Sequence, residues 1–262
     1  MSAAMTEGAV HMQMHGPLAM VSFDRPQERN AMTWAMYGQL GVICEQLRKD
    51  ASVRAVLLRG AGGKAFVAGT DIAQFLEFKD GEAGVAYEKR IDLCIGMLEA
   101  LPMPTIALVE GWAVGGGVAI ATACDFRIAT PESKFGVPIA RTLGNCLSMS
   151  NMARLVAAFG AQRVKRMLLL AEMVMADEAL ACGYLHAVVP GAELQDRGFA
   201  LAEKLAALAP VTQAVAKGAL RRLEQHHLPD AEDLIRRSYG SKDFREGVRA
   251  FTAKRPPVWS GE

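Results

Sequence analysis

Two glycine-containing turns have the residue pattern with the clearest chemical meaning. One lies in AVLLRGAGGKAFVAGTDIAQF and the other in TIALVEGWAVGGGVAIATAC; both place glycine between an apolar run and a predicted helix start. The first N–H groups of a helix have no intrahelical partner, and glycine lets another group approach them closely. Two converging turns would hold one oxygen that becomes negative. The pattern predicts an oxyanion site; the alternative is two crowded strand–helix junctions.

Other catalytic and cofactor motifs are absent from the sequence. It has no G-x-x-x-x-G-K-[ST], no G-x-G-x-x-G with an acid about 20 residues later, and no G-x-S-x-G. The five cysteines are dispersed without a C-x-x-C, and the histidines are scarce. We therefore expect reduced thiols and no metal site.

The elements that must position these turns alternate along the chain. Strands are predicted in AVHMQMHGPLAMVSFD, a hairpin around Gly16-Pro17, and in VRAVLLRG, TIALVEG and DFRIAT. Helical periodicity fills the intervening segments AMTWAMYGQLGVICEQLRKD and AYEKRIDLCIGMLEAL, and GKAFVAGTDIAQFLEF passes from a glycine-containing loop into a helix. This alternation predicts an α/β core with parallel strands. From Leu147 onward helices are predicted almost throughout, with one strand in HAVVP and a last helical segment over residues 231–255.

Length and charge limit the classes of partner. The 262 residues carry 29 basic and 28 acidic side chains, which gives a net charge of +1. Dispersed, balanced charge argues against nucleic acid or a membrane surface as the main partner. No apolar run approaches the roughly 20 residues of a membrane span. The N-terminus lacks the pattern of a signal peptide, so we expect a cytoplasmic protein.

Five segments, in this order, resemble the enoyl-CoA hydratase/isomerase (crotonase) superfamily: FDRPQERNAM, GKAFVAGTDI, PTIALVEGWAVGGGVAIATACDFRIAT, KFGVPIA and DFREGVRAFTAKRPPVWSG. The resemblance implies a crotonase-like ββα spiral core over residues 1–200 and a C-terminal helical region over residues 201–262 used in trimerisation. It implies an acyl-CoA thioester substrate, no cofactor apart from the coenzyme A of that substrate, and a homotrimer or a dimer of trimers.

The resemblance also assigns site residues. The backbone N–H groups of Thr70 and Gly116 would hold the thioester oxygen. Substrate contacts would come from Arg29, Ala31, Lys64, Ala68, Asp71, Ile72, Trp112, Gly115, Ala119, Pro138, Ile139, Arg141 and Lys254. For the charged residues the alternative is a solvated surface charge, and for Asp71 a helix cap. Lys254 or Arg255 would reach the site of a neighbouring subunit.

The carboxylates that hydration requires are missing from their usual positions. Hydratases of this family place one glutamate just after the glycine triplet and a second in a G-x-P-E segment, where this chain has Ala119 and Ile139. Hydration needs two groups, one to deprotonate water and one to protonate the α-carbon. No Asp or Glu occurs within residues 111–124 or 133–171. The sequence therefore predicts a thioester-binding site without the ordinary acid–base pair.

Other side chains are candidates for the missing chemistry. Glu88 lies on the apolar stripe of a predicted helix, where it would be either a base with a raised pKa or part of a salt bridge at a helix edge or interface. Arg141 would hold a carboxylate or carbonyl of the acyl group, or form an interface ion pair. Cys146 has no histidine near it in sequence to activate it as a nucleophile.

Three functions agree with this pattern. The first is an acyl-CoA enzyme (isomerase, lyase, thioester hydrolase or unusual hydratase) that stabilises an enolate or oxyanion. The second is a catalytically silent acyl-CoA-binding homologue. The third, a purely structural α/β domain, leaves the paired glycine turns unexplained.

Overall fold

Two β-sheets form the framework of the chain in a computed structural model that describes residues 7–262. Their strands are β1 (Ala9–His15), β2 (Leu18–Asp24), β3 (Ala55–Gly60), β4 (Ala65–Val67), β5 (Thr105–Val109), β6 (Trp112–Val114), β7 (Phe126–Ala129), β8 (Lys134–Gly136), β9 (Val174–Met175) and β10 (Ala187–Val188). The larger sheet has the order β1-β2-β3-β5-β7-β10, and the smaller has the order β4-β6-β8-β9.

Most strand pairs are parallel, as the alternating pattern predicts. In the larger sheet only the β1–β2 hairpin is antiparallel, and it turns at Gly16, whose φ is 59°. In the smaller sheet β9 alone runs antiparallel to its neighbour. Parallel neighbours need crossover connections, which the helices supply. The α/β prediction is confirmed; the sequence patterns missed β4, β6, β8 and β9, which have two or three residues each.

Helices cover the sheets and then form the C-terminal part of the chain. They are α1 (Trp34–Lys49), α2 (Gly81–Glu99), α3 (Gly116–Ala123), α4 (Ile139–Thr142), α5 (Met149–Phe159), α6 (Ala161–Leu169), α7 (Ala176–Ala181), α8 (Gly191–Ala206), α9 (Pro210–Glu224), α10 (Glu232–Tyr239) and α11 (Lys242–Thr252). The helix predicted after VAGTD is a 3-10 helix over Ile72–Glu77.

Local capping explains two boundaries that differ from the predicted ones. The segment over residues 231–255 is two helices, because Gly240 ends α10 and Ser241 caps α11 by accepting the Phe244 N–H at 2.9 Å. Helix α2 begins before the predicted AYEKR stretch, because Asp80 caps it through the Ala83 N–H at 3.1 Å. Short polar side chains at these positions satisfy N–H groups that a helix start leaves unpaired.

The C-terminal helices pack against the core of their own chain. Helix α8 lies on the larger sheet so closely that a Cβ at Gly198 would come within 2.6 Å of Leu108. Helix α10 packs on α2, and α11 packs on the 3-10 helix. There Phe75, Tyr239 and Phe244 form a buried aromatic cluster. Residue 200 lies inside α8, and the division of the chain near that residue stays a prediction.

No single helix within residues 7–262 is long and apolar enough to cross a membrane, although α8 and α9, bent by 105°, meet those criteria as a pair. Residues 1–6 lie outside the described residues. They belong to the N-terminal segment for which we predicted no signal peptide, and to the core predicted over residues 1–200.

Candidate active site

The two glycine turns lie side by side because the strands before them are neighbours. β4 pairs in parallel with β6, with Ala65 opposite Trp112 and Val67 opposite Ala113. The turns that follow therefore leave the same edge of the smaller sheet. Gly69 (φ 105°) and Gly115 (φ 53°) both adopt backbone conformations that other residues rarely take. The sequence prediction that the turns converge is consistent with this geometry.

At two glycines of the triplet, Gly116 and Gly117, other parts of the protein occupy the space that a side chain would take. A Cβ at Gly117 would lie 1.9 Å from the carbonyl oxygen of Val67, so α3 packs directly on the β4 backbone. A Cβ at Gly116 would lie 2.7 Å from the Tyr37 hydroxyl oxygen. At Gly117 internal packing therefore excludes a side chain, as the crowded-junction alternative predicts for that position.

Two N–H groups remain without a partner where the turns meet. Thr70 lies beside Met32, but the hydrogen bonds there run from the Met32 N–H to Gly69 O (2.8 Å) and from the Asp71 N–H to Met32 O (2.9 Å). Gly116 is the first residue of α3. Within residues 7–262 neither the Thr70 N–H nor the Gly116 N–H donates a hydrogen bond. Both residues line one cavity, so both donors are available to a ligand.

The cavity beside these turns has a volume of about 160 Å³ and a mostly apolar wall. Nine of the residues that the sequence assigned to the site line it: Ala68, Thr70, Ile72, Glu88, Gly115, Gly116, Ala119, Pro138 and Ile139. The rest of the wall includes Phe75, Tyr87, Ile91, Asn145 and Phe251. Of the described residues that line the cavity, Glu88 is the only one with a carboxyl group.

Glu88 is buried at the cavity wall, with 3 % of its surface exposed. The Tyr239 hydroxyl donates to Glu88 Oε1 at 2.5 Å and the Ser148 N–H donates to Oε2 at 3.0 Å. Burial raises the Glu88 pKa from 4.5 to about 7, against the lowering effect of these two hydrogen bonds. No basic side chain within residues 7–262 pairs with it. Glu88 is therefore not part of a helix-edge salt bridge within residues 7–262, and the interface salt bridge stays a prediction.

A second carboxylate lies one helical turn further along α2. The Ser148 hydroxyl donates to Asp92 Oδ1 at 2.6 Å, and the same hydroxyl caps α5 by accepting the Asn151 N–H. Burial raises the Asp92 pKa as well. Ser148 thus joins the two carboxylates, one through its backbone N–H and one through its side chain. No signal in the sequence pointed to this link between α2 and α5.

A chain of three hydroxyl groups lies behind the first glycine turn. Thr70 Oγ1 is 2.8 Å from the Tyr37 hydroxyl and 2.9 Å from the Tyr87 hydroxyl. Burial raises the pKa of both phenols above the ordinary value. Both tyrosines are therefore neutral hydrogen-bonding groups at neutral pH. The sequence analysis missed them because tyrosines on amphipathic helices are ordinary core residues.

Several assigned residues lie away from the cavity. Arg141 is exposed on α4 and is not part of the cavity wall, whereas Ile139 and Thr142 of the same helix are. Both alternatives for Arg141, an acyl-group contact and an interface ion pair, stay predictions. Lys254 is exposed beyond α11, which contributes Phe251 instead. Cys146 is absent from the cavity wall, and burial raises its pKa to about 12, so it is a protonated thiol.

The remaining assigned residues surround the first turn. The Ala68 N–H donates to Arg29 O at 3.0 Å, next to Ala31, and the Trp112 N–H donates to Lys64 O at 3.4 Å. Asp71 caps the 3-10 helix through the Ala73 N–H and pairs with buried Arg25 at 2.8 Å, as its helix-cap alternative predicts.

Comparison with known proteins decides the family. The sequence profile of the enoyl-CoA hydratase/isomerase family matches residues 13–262. The chain belongs to this family. It is 32 % identical to the short-chain-enoyl-CoA hydratase of Clostridium acetobutylicum over 94 % of this chain and 95 % of that protein. It is 31 % identical to the carnitinyl-CoA dehydratase of Escherichia coli over 97 % of this chain and 98 % of that protein. The fold is the crotonase fold, as the sequence resemblance predicted.

A solved structure of another protein is also similar. Methylmalonyl-CoA decarboxylase in complex with 2-nitronate-propionyl-CoA superposes with a TM-score of 0.87 at 28 % identity, covering 97 % of this chain and 98 % of that chain. Hydratases, dehydratases and a decarboxylase therefore share this fold, so family membership supports acyl-CoA processing but leaves the reaction open. Among residues 7–262 no three His, Cys, Asp or Glu side chains cluster as metal ligands would.

Proposed function

We propose that this protein isomerises short 3-enoyl-CoA thioesters to 2-enoyl-CoA thioesters through a thioester enolate. The Thr70 and Gly116 N–H groups hold the enolate oxygen, and Glu88 is the single acid–base group. The observation that carries this proposal is one buried carboxyl group on the wall of the cavity that both turns line. Where hydratases of the family have glutamates, the same wall has Ala119 and Ile139.

A single carboxylate suffices for this reaction. Glu88 removes a proton from C2, the electron pair of that C–H bond forms the enolate, and the double bond moves as C4 takes the proton back from Glu88. The proton is neither gained nor lost overall, and no water enters. A carboxyl group with a pKa of about 7 both accepts and returns a proton readily near neutral pH. Hydration lacks its second group here and should be slow.

The volume of the cavity indicates the size of the acyl group. A protein cavity of about 150 Å³ takes up a benzene molecule, and this cavity measures about 160 Å³. Its wall is mostly apolar, with Ile72, Phe75 and Ile91 among the lining residues. We therefore propose an uncharged acyl chain of about four to six carbons as the preferred substrate class.

Decarboxylation of a short 2-carboxyacyl-CoA is the second candidate, favoured by the similarity to methylmalonyl-CoA decarboxylase. Loss of carbon dioxide leaves the C–C electron pair in the same enolate, and protonated Glu88 would then protonate C2. The two reactions need opposite protonation states of Glu88: isomerisation begins with the carboxylate and decarboxylation with the protonated acid. Isomerisation should accelerate as pH rises through about 7, and decarboxylation should slow.

Proton exchange in deuterated water tests the proposal. The protein is incubated with 3-butenoyl-CoA, 3-hexenoyl-CoA and methylmalonyl-CoA, and deuterium incorporation and product are followed by mass spectrometry. We expect isomerised products, with Glu88→Gln slower by about 10²–10⁴. Glu82→Gln is the matched control, because Glu82 is exposed on the same helix and pairs with Arg236. Tight acyl-CoA binding without exchange or product would instead support the silent homologue.

We further propose that the protein is a homotrimer or a dimer of trimers. Helix α9 leaves a stripe of apolar side chains exposed, with Val211, Val215 and Leu223 at 74 %, 66 % and 75 %. Contact with other copies would remove this stripe from water. Sedimentation at micromolar concentration should show three or six chains, and a monomer would contradict this assembly.

A further inference from the structure

The three hydroxyl groups behind the first turn have one proton more than their mutual hydrogen bonds use. Tyr37, Thr70 and Tyr87 each carry one O–H proton, and two hydrogen bonds join them. Each bond uses one proton. One proton is therefore left to donate elsewhere, and the residue that carries it follows from the surroundings of each hydroxyl.

The surroundings of Tyr37 set the direction of the chain. Tyr37 is buried, with 2 % of its surface exposed, and Thr70 is the only hydrogen-bond partner of its hydroxyl within the described residues. A buried donor without an acceptor costs free energy, so Tyr37 donates to Thr70. Thr70 is buried as well, with 7 % of its surface exposed, whereas Tyr87 is only partly buried, so we assign the proton of the second hydrogen bond to Thr70, which donates to Tyr87. The proton of Tyr87 is the one that remains.

Tyr87 is placed to donate that proton to a ligand. It is only half-buried and lines the cavity together with Thr70 and Gly116. Its hydroxyl is 2.9 Å from Oγ1 of Thr70, which lines the same cavity and whose N–H has no acceptor within residues 7–262. Burial keeps the phenol protonated, so it donates a hydrogen bond without releasing the proton. The two hydroxyls behind it fix the orientation of this donor before the substrate arrives.

We propose that the Tyr87 hydroxyl is a third hydrogen-bond donor to the thioester oxygen, beside the Thr70 and Gly116 N–H groups. This inference rests on the proposed enolate chemistry of the site. A hydrogen bond to an oxygen that becomes negative strengthens as the charge develops. Loss of the Tyr87 hydroxyl should therefore weaken enolate binding much more than the binding of an uncharged thioester.

The test compares a charged enolate mimic with its neutral counterpart. 2-Nitronate-propionyl-CoA carries a delocalised negative charge that propionyl-CoA lacks, and calorimetry gives the affinity of each. We expect Tyr87→Phe to lower the nitronate affinity by about 10–10² and the propionyl-CoA affinity by less than about threefold. Tyr184→Phe is the matched control, because Tyr184 is a buried tyrosine whose hydroxyl also pairs with a threonine, Thr122, but does not line the cavity; it should change both affinities by less than about threefold.

A second variant keeps the test independent of folding. Replacement of Tyr87 by 3-fluorotyrosine retains the hydroxyl and makes it a stronger donor, so the nitronate affinity should rise. Equal losses for both ligands in Tyr87→Phe, or a loss that follows Thr70→Val but not Tyr87→Phe, would overturn the inference. A wild-type protein that binds the two ligands equally would contradict the proposed function itself, because no oxyanion site would then exist.

Discussion

The two halves of the cavity wall are built in different ways. The loop half consists of backbone N–H groups at Thr70 and Gly116, fixed by two adjacent parallel strands. The helix half consists of side chains: Glu88 on α2 is held by Ser148, 60 residues away, and by Tyr239, 151 residues away. Backbone donors depend on chain path alone and tolerate changes of side chain. The helix half requires three distant segments of the chain to meet. Substitutions in these segments can therefore change the reaction while the backbone donors stay in place.

The largest effect should come from deleting a donor of the loop half. Gly116→Pro removes the N–H at the first position of α3, where a helix accommodates proline. A Cβ there would come within 2.7 Å of the Tyr37 hydroxyl, so the variant is made in a Tyr37→Phe background and compared with Tyr37→Phe alone. We expect kcat for isomerisation to fall by about 10²–10³ or more. Steady-state kinetics alongside circular dichroism measures this. Unchanged kcat in a folded variant would remove Gly116 from the oxyanion site.

In the helix half, the buried carboxylate of Glu88 should lower the stability of the folded protein. Because burial raises the Glu88 pKa from 4.5 to about 7, the folded state binds the proton more tightly than the unfolded state. The associated stability is fully present below pH 4.5 and is lost as pH rises through about 7, at a cost of about 3 kcal/mol. Glu88→Gln should therefore be more stable than wild type at pH 8 although inactive. Denaturant unfolding at pH 4.5 and pH 8 measures the difference; equal gains at both values would contradict this account.

A smaller effect should separate the Thr70 side chain from its backbone. Thr70→Ala keeps the N–H, but it leaves the Tyr37 and Tyr87 hydroxyls without their shared partner. We expect a loss of about 1–3 kcal/mol in the free energy of unfolding. Thr70→Ser, which keeps the hydroxyl, should lose less. Calorimetric melting of both variants and the wild type checks this. Equal melting temperatures for Thr70→Ala and the wild type would show that the hydroxyl chain contributes little to stability.

The smallest effect should be a shift of the pH profile. The charge of Asp92 raises the Glu88 pKa, and Ser148 joins the two side chains. Asp92→Asn should therefore lower the midpoint of the pH dependence of kcat/KM by less than about one unit. An unchanged midpoint would mean that Asp92 affects Glu88 only through packing.

The contrast between the halves also explains what the sequence could reveal. Glycine spacing marks backbone turns, so the sequence could place Thr70 and Gly116 together, and both line one cavity. The apolar stripe of the predicted helix likewise placed Glu88 on its inward face, and Glu88 lines the same cavity. Tyr239 and Ser148 carry no local signal, since their role arises only from contacts between distant segments. Arg141 lies off the cavity wall because the short helix α4 presents Ile139 and Thr142 to the cavity and leaves Arg141 exposed, a rotation that sequence spacing alone does not reveal.

One comparison of rates tests the central claim, that a backbone oxyanion site here works with a single carboxyl group. Crotonyl-CoA and 3-butenoyl-CoA are supplied to the same wild-type sample at pH 8, and nuclear magnetic resonance follows hydration of the first and isomerisation of the second. The account predicts isomerisation at an enzymatic rate, with hydration slower by a factor of about 10² or more. Rapid hydration of crotonyl-CoA with no isomerisation of 3-butenoyl-CoA would contradict it.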